Sequence, residues 1–241
     1  MPHAPTNALY DRLARILRVP MTWMTRRTWS GGENLPDGAF IAAANHMTNI
    51  DPLVTAHYLY DNDVAPRIMA KSSLFTVPVL GWALRSTGQI PVYRGTAQAG
   101  DALVAAREAL ENGECVLVFP EGTLTRDPDL WPMVAKTGTA RLALMTKAPV
   151  VPLAQWGATA LMGRYKALLK PIPRKQVWVT AGPPVDLSDL YDRPLEGAVL
   201  REATDRIMGA ITALLAELRR EEPPAERWDV RTQGPGGGRA L

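Results

Sequence analysis

Residues 39–53 read AFIAAANHMTNIDPL, and the change of pattern inside them decides the fold class. Ala39–Ala44 is a short unbroken apolar run, as expected of a strand covered on both faces. Asp51-Pro52 then has the form of a helix start, with aspartate as N-cap and proline at the first helical position. Leu53–Tyr60 continues that helix. A buried strand running directly into a helix is the unit from which α/β layers are built.

The same alternation repeats on either side. Strand candidates stand at Arg67–Ala70, Gln89–Tyr93, Val116–Phe119, Val150–Gln155 and Val177–Ala181. Between and after them the spacing predicts helices over about 77–86, 98–112, 136–147 and 199–220. The expected architecture is α/β: a single layered domain with a mostly buried mixed sheet flanked by helices. That domain is expected over 31–222, after a basic amphipathic segment at 1–30 and before a flexible Pro/Gly-rich tail at 223–241.

Composition excludes several classes of function. Of the 241 residues 46% are hydrophobic and 21% charged, a balance that buries a core and excludes a disordered chain. Cys115 is the single cysteine, which excludes a disulfide framework and a cysteine-rich metal centre. With three histidines, His3, His46 and His57, no histidine-rich metal site is expected, and no cofactor is called for. A net charge of +3 gives no broad field for gripping nucleic acid. The excess is local: five arginines against Asp11 give residues 1–30 a net +4, leaving −1 for the rest. The longest stretch free of charged side chains, 148–163, is broken by Pro149, Pro152 and Gly157 and falls short of the about 20 apolar residues a spanning helix needs. No secretory signal pattern opens the chain, so a cytoplasmic protein is expected.

The basic start has its own pattern. Leu9, Leu13, Ile16 and Leu17 recur at helical spacing, with Arg12, Arg15 and Arg18 mostly on other faces, and Trp23 and Trp29 follow among methionines and arginines. Such a mixture suits the membrane interface, where an apolar face inserts and cations meet anionic headgroups. An ordinary first helix packed on the domain fits the same pattern.

Two stretches and two single cations carry candidate chemistry. In NHMTNID, residues 45–51, a strand-to-helix turn can fold Asp51 back onto His46, leaving the other ring nitrogen as a general base. Taken alone, this string fits a structural histidine beside a helix cap better than a catalytic pair. VFPEGTLTR, residues 118–126, ends a buried strand, where α/β sheets place ligand loops. There Gly122 permits close backbone approach, Thr123, Thr125 and Arg126 offer donors, and Glu121 either holds the loop or meets a substrate hydroxyl. Arg94 and Lys71 each follow a short strand and could grip a phosphate, although each singly reads better as a solvated cation. Lys136 suits a loop cap, and His57, in mid-helix, a structural role. No G-x-S-x-G elbow occurs, which argues against a serine hydrolase.

Together these pieces resemble the glycerolipid acyltransferase family that includes the 1-acylglycerol-3-phosphate (lysophosphatidic acid) acyltransferases. The family's His-x4-Asp motif stands as NHMTNID, and its arginine after a short apolar strand as IPVYR at 90–94. Its Phe-Pro-Glu-Gly-Thr motif is intact at 119–123, and its apolar Val-Pro stretch is APVVPLA at 148–154. All four come in the family's order over roughly residues 32–182, and KTGTARLAL at 136–144 resembles the segment after the third motif.

The resemblance implies an enzyme that moves a fatty acyl group from acyl-CoA or acyl carrier protein to a lysophospholipid hydroxyl, forming phosphatidic acid, with neither metal nor cofactor. His46 would be the general base and Asp51 would orient it. Arg94 would bind the acceptor phosphate, and Glu121, Gly122 and Thr123 would shape that pocket, with Lys71 as a further candidate. Many members read Glu-Gly-Thr-Arg, whereas Leu124 stands here and the arginine comes at Arg126, which keeps other lysolipid or glycolipid acceptors open. A lipid-binding protein without catalysis is the alternative from another class. The family's lipids imply peripheral attachment to the inner face of the cell membrane. LFTVPVLGWAL at 74–84 is then a second candidate for lipid contact or an acyl-chain tunnel, with plain core packing slightly favoured.

Overall fold

The protein is described by a computed structural model covering residues 8–94 and 100–234. Seven strands form one sheet: β1 (Thr25–Ser30), β2 (Phe40–Ala44), β3 (Pro66–Lys71), β4 (Ile90–Val92), β5 (Cys115–Val118), β6 (Val150–Trp156) and β7 (Lys175–Ala181). Their order is β1-β7-β6-β2-β5-β3-β4, and every neighbouring pair is parallel except β6 and β7. The expected mixed sheet is therefore present.

Two cores lie on its two faces because successive side chains of a strand point opposite ways. Phe40, Ala42 and Ala44 of β2 face one core with Leu117, Leu153 and Val179, closed by Val54 and Tyr58 of α2 (Asp51–Asp61) and by Met21 and Met24 of α1 (Ala8–Met24). Ile41 and Ala43 face the other, closed by α4 (Asp101–Glu111), α5 (Gly138–Thr146) and α7 (Gly197–Arg219). Along α7 the buried positions Leu200, Ala203, Thr204, Ile207, Met208, Ile211 and Leu215 keep helical spacing, which lays one stripe on the sheet. Shorter helices are α3 (Pro78–Ser86), α6 (Ala158–Leu161) and α8 (Val230–Gln233). Residues 98 and 99 of the expected 98–112 helix lie outside the described residues.

Three expectations change. The boundary at residue 30 falls too late, because Thr25–Ser30 is an edge strand running parallel to β7, with Thr25 opposite Lys175. An edge strand tolerates outward charge, which is why TRRTWS does not read as a strand from its apolar content. Its link to α2 is polar: Arg27 and Trp29 each reach an Asp61 carboxylate oxygen at 3.0 Å, and His57 Nε2 meets Arg27 Nη1 at 3.0 Å. Burial lowers the His57 pKa, which the Arg27 guanidinium reinforces against the opposing pull of Asp61.

The first part of the expected free tail is also anchored, since Trp228 C=O accepts the Val134 N–H at 2.9 Å and Arg227 pairs with Asp205 at 3.1 Å. Residues 235–241 lie outside the described residues. Finally, the 74–84 stretch is not core. Val79 is 79% exposed, and Val77, Leu80 and Trp82 also face outward.

Candidate active site

In the parallel part of the sheet, chain direction sends β2, β5, β3, β4 and β6 toward one edge, where ligand loops of α/β sheets gather. His46 stands two residues beyond the end of β2, and α2 begins at Asp51 itself, so the residues between must turn the chain. Asp51 is thus the first helical residue, not the flanking cap expected. Its carboxylate points back into the turn instead: Oδ2 accepts the backbone N–H groups of Met47 and Thr48, the latter at 2.7 Å, and Oδ1 accepts the Thr48 hydroxyl at 2.7 Å.

The same Oδ2 lies 3.0 Å from His46 Nδ1. A carboxylate oxygen can only accept, so Nδ1 carries the proton and the lone pair of the neutral ring sits on Nε2. That nitrogen has no hydrogen-bond partner among the described residues, and the His46 side chain is 15% exposed beside a fully buried Asp51. Phe119 stacks on the ring with centroids 4.3 Å apart.

The FPEGT loop fixes the histidine backbone. Glu121 Oε1 accepts the His46 N–H at 3.0 Å, Oε2 accepts the Met133 N–H at 3.1 Å, and the Thr125 N–H donates to His46 C=O at 2.7 Å. Glu121 is only 2% exposed, and burial pushes its carboxyl up to about 8 against the pull of those N–H groups. Of its two expected roles it fills the loop-holding one. It stands behind the site and offers no surface to a substrate, which corrects its place among the substrate-binding residues.

The other expected residues divide. Gly122 adopts φ +69°, a conformation that suits glycine, and closes a turn through its N–H to Phe119 C=O at 2.9 Å. Lys136 lies across it: a Cβ on Gly122 would come 3.2 Å from Lys136 Cδ. Thr123 and Arg126 are half-buried, and Arg126 has no ion pair among the described residues. Thr125 is buried with its hydroxyl donating to Trp131 C=O at 2.6 Å, so that donor is used inside the loop. Leu124 is buried, which means an arginine at this position would have to enter the core. Lys71 ends β3 opposite Val92 of β4, and Arg94 follows two residues later. The structure therefore brings these two exposed cations to adjacent strand ends, with β5 and β3 separating Arg94's strand from that of His46.

Two supporting residues escaped sequence reasoning. Gln155, fully buried, gives its N–H to Asn45 Oδ1 at 2.9 Å and accepts from Asn45 Nδ2 at 3.1 Å, joining the ends of β6 and β2. A polar residue closing the apolar strand VVPLAQW was the available signal. Arg164 donates to the backbone oxygens of Thr125 at 3.1 Å and Asp127 at 2.6 Å, and nothing in its local sequence marks it.

Residues 26–156, which include the histidine, the buried carboxylate that meets it and the loop clamped beneath them, match the Acyltransferase family model, and the chain belongs to that family. It is 32% identical over 135 residues to the chloroplastic 1-acyl-sn-glycerol-3-phosphate acyltransferase of Brassica napus, covering 55% of this chain and 38% of that protein. The Saccharomyces cerevisiae 1-acyl-sn-glycerol-3-phosphate acyltransferase is 32% identical over 127 residues, covering 51% and 40%. The chain thus spans about two fifths of the length of these curated relatives. The crystal structure of PlsC from Thermotoga maritima, a 1-acyl-sn-glycerophosphate acyltransferase, superposes with a TM-score of 0.67 at 25% identity, covering 89% of this chain and 81% of that one.

Proposed function

We propose that this protein transfers a fatty acyl group from acyl-CoA or acyl carrier protein to the free hydroxyl of 1-acylglycerol-3-phosphate, producing phosphatidic acid for phospholipid synthesis at the inner face of the cell membrane. The observation that carries this reading is the His46–Asp51 pair, held at 3.0 Å with Nε2 unengaged. Nε2 takes the proton of the acceptor hydroxyl as its oxygen attacks the thioester carbonyl. The imidazolium formed is stabilised by Asp51, and its proton neutralises the departing thiolate. One C–O bond forms and one C–S bond breaks, with no acyl-enzyme and no metal or cofactor. Lys71 and Arg94 are assigned to the acceptor phosphate, with Arg126 as a further cation at the loop.

The test is product analysis with anionic vesicles, each donor being offered against lysophosphatidate, a phosphate-free lysolipid and glycerol-3-phosphate. Phosphatidate formed by the unmutated protein and absent with His46→Ala is the expected result. The buried position of Leu124 favours a second reading, transfer to another lysolipid or glycolipid acceptor. Turnover with the phosphate-free lysolipid alone would select it, and lysolipid binding without any turnover would refute both.

A further inference from the structure

The loop that follows the FPEGT motif is gripped by two arginines from distant elements. Arg164 Nη1 donates to the carbonyls of Thr125 at 3.1 Å and Asp127 at 2.6 Å. Arg219 Nη1 takes the next alternate carbonyl, that of Asp129, at 2.8 Å. Its guanidinium carbon lies 4.0 Å from the Trp131 ring centre and 4.5 Å from that of Trp156. Arg164 stands in GRYKALLKPIPRK, residues 163–175, between β6 and β7, and Arg219 is the last residue of α7. Both lie beyond residues 26–156, so no motif of the family assigns either of them.

The two carbonyls that Arg164 holds flank Arg126. Thr125 and Asp127 are buried, and their polar groups are engaged inside the fold. The Thr125 N–H donates to His46 C=O at 2.7 Å and its hydroxyl to Trp131 C=O at 2.6 Å. Asp127 Oδ1 accepts the N–H groups of Asp129 at 2.8 Å and Trp131 at 3.1 Å. Arg126 between them is half-buried, and neither it nor Arg164 has an ion pair among the described residues. A guanidinium directed at carbonyl oxygens instead of an acid fixes the main chain while the cation it frames stays unneutralised.

We propose that Arg164 is a positioning residue for acceptor recognition: by holding the carbonyls on both sides of Arg126, it fixes that arginine to meet the acceptor phosphate. Leu124 is buried, so the loop does not offer a cation from that position, and Arg126 takes over the task two residues later. A loop ordered before the acceptor arrives presents its guanidinium without a further entropic cost on binding. His46 depends less on this clamp, because Glu121 also holds its N–H and Asp51 its ring. Loss of Arg164 should therefore act on KM for a phosphate-bearing acceptor more than on kcat. The inference rests on the proposed acceptor, but one arm of its test needs no acceptor, so the two can fail separately.

The experiment compares the unmutated full chain with Arg164→Met, Arg164→Lys, Arg126→Ala and the double variant Arg126→Ala/Arg164→Met. Amide hydrogen exchange is followed over 125–131, and kinetics are measured on lysophosphatidate and on a phosphate-free lysolipid. Methionine keeps the length of the side chain but no donor, so Arg164→Met should speed exchange in the loop about tenfold. It should also raise KM for lysophosphatidate about fivefold, with kcat within about threefold. Lysine, which can still donate to a carbonyl, should recover part of both effects. Arg126→Ala should raise the same KM about tenfold with exchange unchanged. Because Arg164 acts through Arg126, the double variant should show no further rise. Unchanged exchange in Arg164→Met would overturn the proposal, as would additive KM effects in the double variant. So would equal KM shifts for both lysolipids or a fall in melting temperature that lysine does not restore, since Arg164 would then be merely structural. If the unmutated protein does not turn over lysophosphatidate, the assigned acceptor falls, and the exchange arm still accepts or rejects the clamp.

Discussion

Replacing Asp51 by asparagine separates what this carboxylate does by position from what it does by charge. Two backbone N–H groups, those of Met47 and Thr48, point at the oxygen that also meets His46 Nδ1. An asparagine must turn its carbonyl to them, since its NH2 would face donors. The carbonyl then still accepts from Nδ1, and the NH2 meets the Thr48 hydroxyl, which can rotate to accept. Ring orientation and tautomer should survive, and only the charge is lost. With charge centres about 4 Å apart and an effective dielectric near 20, a carboxylate stabilises an imidazolium by about 4 kcal/mol. Asp51→Asn should therefore lower kcat by about 10²–10³, with KM for the acceptor little changed. Weakening charge-assisted bonds at a fully buried site should also cost about 1–3 kcal/mol of stability. Steady-state kinetics on vesicle-presented acceptor, with thermal melts alongside, provide the assay. A kcat within threefold of the unmutated value in a folded variant would refute the role given to the charge.

Phe119→Leu should keep the loop buried but remove the ring face against His46, lowering kcat by about tenfold with a stability cost near 1 kcal/mol; melts and kinetics check both. Glu121→Gln should lose the bond to either the His46 or the Met133 N–H, reducing kcat without touching substrate. Because the Glu121 pKa is raised to about 8 in the folded protein, the unfolded chain releases its proton first, and this group's contribution to stability declines as pH rises from about 4.5 to 8. The slope is at most about 1.4 kcal/mol per pH unit, and the Gln variant should lack it in denaturant titrations compared across that range. Arg94→Ala should raise KM for a phosphate-bearing acceptor by about tenfold and leave a phosphate-free one unaffected; equal KM shifts for both would remove Arg94 from the phosphate site.

The sequence by itself determined the layers and singled out the pair His46 and Asp51. AFIAAA has the pattern expected of a strand covered on both faces, and the interior strands VVPLAQ and CVLV carry the same signature, because burial on two sides leaves no room for alternation. The spacing from His46 to Asp51, in the company of FPEGT, located the pair because the turn between them is local. Tertiary structure decided what depends on contacts remote in the chain. Residues 25–30 became a strand only by finding β7 at 175–180, and their arginines were acceptable because that strand is an edge. Glu121 could have faced a substrate. It turned inward because the N–H groups of His46 and Met133, 75 and 12 residues away, converge on its carboxylate. Exposure is equally non-local, since a leucine reads the same whether or not another element covers it. For that reason the 74–84 stretch proved to be surface, and GRYKALLKPIPRK, unremarked as sequence, came to stand beside α1.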